Sequence, residues 1–296
     1  MRFGVWIPNV RHLAHSHIIR SAAVRAEQLG YDSVWASDHV VVPRENVKNF
    51  GETVFDPLVT LSVIAGATST VQLGTTVLIV PYRNAVVTAK MISTLDALSG
   101  GRFIFGIGAG WVEAESDALN VPFKERGAVT DEYLAAMQAL WTQAKPSYAG
   151  THVHFDDIIF EPKPVQKPHP PIWVGGHGKP SLRRCAQFGA AWHPINRSPH
   201  ELRTGMAEIR RLCAARGRAD VPALTLRTDL RMGLGALPSA HAGRALNGDV
   251  ATIVDQIAEL RECGVEHLVL EMLSADWDEL NGQMSHFAER VKPRFA

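Results

Sequence analysis

Neither charge is in excess among these 296 residues, cysteine is scarce, and no long apolar run is present. Lysine plus arginine number 30, and aspartate plus glutamate also number 30. A balanced chain has no broad field to hold a polyphosphate or an anionic bilayer, so neither nucleic-acid nor membrane binding is expected. The three cysteines, Cys185, Cys213 and Cys263, lie far apart, each within an expected helix beside apolar neighbours. They read as reduced core thiols rather than as a disulfide scaffold. No stretch approaches the ~20 apolar residues of a spanning helix, and M-R-F-G-V-W-I-P is too short for a signal-peptide core. A cytoplasmic location is therefore expected.

Several catalytic motifs are missing too. C-x-x-C, H-E-x-x-H, G-x-S-x-G and a G-K-[ST] phosphate loop do not occur, so zinc-hydrolase, serine-hydrolase and P-loop chemistries lack their residues. His12, His15 and His17 cluster before a helix, and His152 and His154 sit on a loop, but no carboxylate or cysteine accompanies them at ligand spacing. No metal site is expected.

What the chain does have is a repeated alternation of short β-branched runs and helical periodicity, with 46% hydrophobic and 20% charged residues. Strands are expected at Phe3 to Pro8, around Val34 to Ala36, Val71 to Pro81, Arg102 to Gly108, and then at P-I-W-V-G-G, A-A-W-H-P-I, Leu224 to Leu234 and H-L-V-L-E-M. Each is followed by a helix-spaced segment, such as Ile18 to Leu29, Ala89 to Leu98 or Ile253 to Leu260. The stretch from Lys145 to Pro171 interrupts the rhythm and reads as an insertion with a small β segment, T-H-V-H-F-D. About eight strand-helix units without a second composition regime predict an α/β (β/α)8 TIM barrel, one domain over residues 1–296, with an insertion (145–171) after strand four. A doubly wound sheet is the alternative, but no G-x-G-x-x-G follows the first strand.

In a barrel the C-terminal strand ends share one mouth. Those ends carry Trp6 and Asn9, Asp38 and His39, Tyr82 and Arg83, Gly108-Ala109-Gly110-Trp111, Gly175-Gly176-His177-Gly178, then Trp192, His193 and Asn196, and Glu271. Asp38 and His39 are candidates for proton chemistry, against the plainer reading of a helix cap and a solvent-facing imidazole. G-G-H-G-K-P-S runs into a helix start, where exposed amides suit a phosphate, although a tight loop chosen for geometry alone would look the same. G-I-G-A-G-W is equally open: its glycines either admit a ligand closely or bend a strand. Aromatic corners around a glycine-lined floor suit a flat heteroaromatic cofactor, with Trp6, Trp111, Trp192 and His193 as an apolar or aromatic lining for a small-molecule substrate. The loops 41–55 and 235–248 are long enough to act as lids.

W-A-S-D-H-V, D-P-L-V-T-L, L-G-T-T-V-L-I-V-P-Y-R-N, L-D-A-L-S-G-G-R-F-I-F-G-I-G-A-G-W, E-P-K-P-V-Q-K-P-H-P-P-I-W-V-G-G and G-V-E-H-L-V-L together resemble the bacterial luciferase-like monooxygenase superfamily. The likeness, from Phe3 to Leu270, is greatest to its probable coenzyme F420 (deazaflavin)-dependent oxidoreductases. The resemblance implies a barrel, a homodimer, and cofactor binding by Trp6, Thr76, Val77, Gly108, Ala109, Gly110, Gly176, His177 and Gly178. It places the Asp-His pair that faces the reactive ring on Asp38 and His39, and a non-prolyl cis peptide at Thr76-Val77. His39 would then be the proton donor or relay, with Asp38 fixing its tautomer.

Two positions depart from the pattern. True luciferases carry an Arg for the FMN phosphate where this chain has Ala109, which disfavours FMN because a dianionic monoester wants a fixed cation. Deazaflavin sugar-phosphate dehydrogenases carry a Glu where this chain has Trp111. Hydride transfer from reduced F420 is the expected activity. An FMN-dependent monooxygenase supplied by a separate reductase is the first alternative, and a non-catalytic flavin-binding barrel the second.

Overall fold

The computed structural model describes residues 1–233 and 244–296. In chain order the elements are β1 (Arg2–Trp6), α1 (Ser16–Gln28), β2 (Ser33–Ala36), α2 (Val47–Phe50), α3 (Pro57–Ala67), β3 (Gln72–Thr75), β4 (Leu78–Ile79), α4 (Ala85–Leu98), β5 (Phe103–Gly108), α5 (Glu113–Ala118) and α6 (Arg126–Thr142). A hairpin, β6 (Tyr148–Ala149) and β7 (His154–Phe155), precedes β8 (Ile172–Gly175), α7 (Lys179–Phe188), β9 (Ala191–His193) and α8 (Pro199–Ala215). The chain closes with β10 (Ala223–Met232), β11 (Leu246–Gly248), α9 (Val250–Glu262), β12 (Val265–Met272) and α10 (Trp277–Arg290).

The strands pair in parallel around a closed ring: β1 on β2, β2 on β3, β3 and β4 on β5, then β5 to β8, β9, β10, β12 and back to β1. This is a TIM barrel. The antiparallel hairpin falls within the expected insertion. The third stave differs from the single strand expected over Val71 to Pro81. It breaks after Thr75 and resumes at Leu78, and the Thr76-Val77 bond between the two pieces is cis.

The helices start where side chains can take their free amides. Asp56 accepts from the amides of Leu58 and Val59 with Pro57 at the first helical position, and Asn84 does the same for α4. Ser198 and Glu201 close a reciprocal capping box on α8. The Asp249 side chain likewise accepts from the Thr252 amide at the start of α9.

Below the mouth the barrel is plugged by aromatic side chains. Trp35 lies 4.8 Å from Trp173 and 5.2 Å from His193, and His267 stands 5.2 Å from Trp173, all ring centre to ring centre. A Cβ on Gly74 would collide with the Trp35 ring, so the absence of a side chain there makes room for the plug. His193 is completely buried, and each of its nitrogens is committed: Nε2 to the Thr76 hydroxyl at 3.0 Å, Nδ1 to the Thr225 hydroxyl at 2.8 Å. Burial, aided by the nearby Arg227 charge, pushes its pKa down to about 3, so it is neutral at pH 7. No helix among the described residues is long and apolar enough to cross a membrane.

Candidate active site at the barrel mouth

His39 follows β2 and is nearly buried. Its Nδ1 lies 2.8 Å from Glu115 Oε2, on α5. The other Glu115 oxygen accepts from the Val40 amide at 2.7 Å and the Val41 amide at 3.3 Å. Burial alone would raise the Glu115 pKa, but the hydrogen bonds from His39 and Val40 outweigh it and hold the carboxyl below its usual range. A carboxylate on Nδ1 fixes that nitrogen as the donor, leaving Nε2 to exchange a proton. No described residue hydrogen-bonds to Nε2.

Asp38 was expected to fix the His39 tautomer, and the structure assigns that role to Glu115 instead. Asp38 turns toward β4: Oδ2 accepts from the Ile79 amide at 2.8 Å, and the two oxygens take the Arg83 guanidinium at 2.6 and 2.8 Å. Arg83 also reaches Asp56 at 2.6 Å. Burial pushes the Asp38 carboxyl up, against the opposing pull of Arg83.

The floor is set by a second charge network. Arg227, nearly buried on β10, donates to the Thr76 carbonyl at 2.9 Å and the Ser37 hydroxyl at 3.0 Å, and pairs with Glu271. Glu271 also pairs with Arg11, and together the two guanidiniums keep its carboxyl low despite burial. Trp6 hydrogen-bonds to Ser37 at 2.9 Å and receives the Arg227 charge 5.3 Å from its ring. Thr76 and Val77 therefore sit between this network and the glycines of β5 and β8, with Val77 standing against Gly108 and Gly175. Ala109 and Gly110 are half-buried in the following loop. A cavity of about 120 Å³ opens beside Trp6, Arg11, His12, Glu271 and Met272. Neither His39 nor Gly176 lines it.

At the opposite side, Gly176 has a φ of +85°, and a Cβ there would lie 2.6 Å from Ser181 Oγ. Gly178, expected to need the same freedom, has an ordinary φ of −75° and simply starts α7, whose first turn no side chain caps. Trp192 and His193, expected to line the substrate site, do not. Trp192 is buried and props the turn from behind, donating to the Gly176 carbonyl at 2.8 Å, while His193 belongs to the plug. Trp111 is 62% exposed at the mouth.

Burial lowers the His177 pKa, and the charges of Arg197 and Arg244 lower it further, against Glu201. Both guanidiniums pair with the Glu201 carboxylate at 3.0 Å. Arg227, Glu115, Phe50 and Arg11 were not anticipated. Arg227 left a signal, a cation two residues before Asp229 within the leucine- and threonine-rich run L-T-L-R-T-D-L. Of the loop 235–248, residues 235–243 lie outside the described residues.

A family model described as luciferase-like monooxygenase matches residues 1–233. An uncharacterized protein of Mycobacterium tuberculosis is 28% identical over 284 residues, covering 92% of this chain and 93% of its own. The FMNH2-dependent dimethylsulfone monooxygenase of Pseudomonas putida is 28% identical over 235 residues, 74% of this chain and 62% of that one. A solved F420-dependent secondary alcohol dehydrogenase, in complex with an F420-acetone adduct, has the same fold, with a TM-score of 0.82 and 17% identity over 98% of each chain.

Proposed function

The chain belongs to the luciferase-like monooxygenase family, and from that premise we propose an oxidoreductase that moves a hydride between reduced coenzyme F420 and a small organic substrate. The observation that carries this reading is the His39–Glu115 pair, buried at the mouth with His39 Nε2 left for proton exchange. The site also fits a flat cofactor with a phosphate end. Gly176 leaves a cradle that a Cβ would fill, the start of α7 has uncapped amides, and Trp6 with the Thr76-Val77 segment forms a floor held by Arg227.

The deazaflavin, when bound, supplies hydride equivalents and no oxygen activation. His39 Nε2 gives or takes the accompanying proton, and Glu115 keeps Nδ1 as the donor throughout. Arg227 fixes the carbonyl of Thr76. Replacing His39 with Ala is expected to leave cofactor affinity within about threefold of the parent while turnover falls ~100-fold or more. Unchanged turnover would remove His39 from the mechanism.

One observation favours a second reading, an FMN-dependent monooxygenase fed by a separate reductase. Arg197 and Arg244 lower the His177 pKa, and a dianionic monoester at the turn would compete with Glu201 for both guanidiniums. Parallel titrations of the two cofactors separate the readings. Micromolar binding of FMN without binding of F420 would replace the first by the second.

A further inference from the structure

The stretch after His39 is anchored at its two ends, where Glu115 accepts from the Val40 and Val41 amides and where Val54 and Phe55 bond to Val10 and Asn9, and only lightly between them. From Val40 through Asp56 no residue is buried. Its helical pieces are a 3-10 turn at Arg44–Asn46 and the four-residue α2, and α2 is tied down by Arg11, whose amide donates to the Phe50 carbonyl at 2.9 Å and whose Nε donates to the Asn49 carbonyl at 2.8 Å. Such a segment opens at low cost, because few apolar contacts are lost when it lifts.

Its aromatic side chain nevertheless occupies a defined place. The Phe50 ring lies over the His39 imidazole, with centres 3.7 Å apart and planes 36° apart, and 5.7 Å from the Trp111 ring. His39 is 9% exposed, although it stands at an open mouth, and Trp111 is 62% exposed. The Phe50 ring thus stands between an imidazole and an indole, 36° from the plane of the first and 58° from that of the second.

We propose that the substrate is a planar aromatic or conjugated compound whose π-face takes the place of the Phe50 ring against His39 and Trp111. The identification rests on the reading of His39 as the proton-exchanging group. Stacked aromatic pairs gain a factor of about two to ten in binding beyond the area they cover, which a saturated cage of the same size does not collect. The same preference makes Phe50 a competitor. Displacing it is expected to cost a substrate part of that factor.

The test compares coumarin, a planar conjugated lactone, with camphor, a saturated bicyclic ketone of similar size. Each is titrated calorimetrically into the protein, alone and with FMN or F420 added. Coumarin is expected to bind more tightly than camphor. Phe50→Ala is expected to tighten coumarin about threefold to tenfold, because the competitor is gone, and Trp111→Ala to weaken it about tenfold. Camphor should be indifferent to both changes. Both variants alter side chains outside the core, and unchanged melting curves verify that the barrel persists.

Weaker or equal coumarin binding by Phe50→Ala overturns the displacement, since a ring that sandwiches the substrate would be missed. Camphor binding as tightly as coumarin overturns the substrate class, as does a lack of coumarin binding under every condition. Failure to bind either cofactor would refute the oxidoreductase reading instead, and the cofactor-free titrations would still report on the place of the Phe50 ring.

Discussion

Replacing Arg83 with Met should destabilise the protein through Asp38 rather than through the lost arginine. Met keeps the length of the side chain and removes its charge and donors. In the parent, Asp38 is 3% exposed, its oxygens are 2.6 and 2.8 Å from the guanidinium, and the Ile79 amide donates at 2.8 Å. Without Arg83 the carboxylate faces one amide and no cation. Breaking one partner from a buried ion pair typically costs about 3–5 kcal/mol. An upper bound comes from neutralisation: binding a proton at pH 7, about three units above an unfolded Asp pKa of about 3.9, costs about 4 kcal/mol.

The sign of the pH dependence follows. In the variant the folded carboxyl holds its proton more tightly than the unfolded one. The penalty is therefore full at pH 7 and shrinks as pH falls, by about 1.4 kcal/mol per unit. Burial also raises this carboxyl in the parent, so urea unfolding should show a loss near 4 kcal/mol at pH 7 that shrinks by at most roughly 2.7 kcal/mol at pH 5. Adding Asp38→Asn should recover part of the pH 7 loss, since an amide carries no charge to strand. A loss below about 1 kcal/mol, equal at both pH values, would mean that Asp38 is solvated and that the reasoning fails.

The glycine turn gives a binding prediction. Gly176→Val should weaken cofactor binding at least tenfold, about 1.4 kcal/mol, because its φ of +85° and the Ser181 hydroxyl both oppose a side chain. Gly178→Ala should titrate like the parent, its φ of −75° being open to any residue; equal affinity for Gly176→Val would move the phosphate elsewhere. At α8, the Ser198 amide is the main cause that holds the Glu201 carboxyl down to about 2, with help from the Ser198 hydroxyl and Arg197. A depressed carboxyl stabilises the fold above its unfolded pKa, so Glu201→Gln should cost about 1 kcal/mol at pH 7 after allowance for solvent screening. That gap should close as pH falls from 4.5 toward about 2, and a constant gap in acid titrations of stability would refute the assignment.

The barrel was legible in the sequence because period-two runs and helix caps are local signals. Asp56-Pro57, Ser198-Pro199 and Gly100-Gly101 punctuate the chain wherever the backbone must turn. The residue pattern of V-Q-L-G-T-T-V-L-I-V-P marks no break after Thr75, and it was the family resemblance that placed the cis peptide at Thr76-Val77, where the structure has it. The site was legible as a set of strand ends and illegible as a set of pairs. Asp38-His39 looked like a couple because the two are neighbours in sequence, yet each found its partner far along the chain, at Arg83 and Glu115. Partnerships of that kind depend on which loops the closed barrel brings together, and no local pattern encodes them. Trp192 and His193 failed as lining residues for a related reason. Both sit on β9, but one faces α8 and the other the interior, and a strand of three residues gives too little alternation to tell which.

Glu115 divides its two oxygens between the imidazole after β2 and the amides that begin the next loop. The loops after β2 and β5 are for that reason one inherited unit. A graft that transplants the segment 40–55 from a relative without the segment 109–118 would bring amides and an imidazole to a carboxylate placed for other distances. Chimeras of this barrel should therefore be cut so that both loops travel together, and the order in which new specificities arise in such a scaffold would be constrained in the same way.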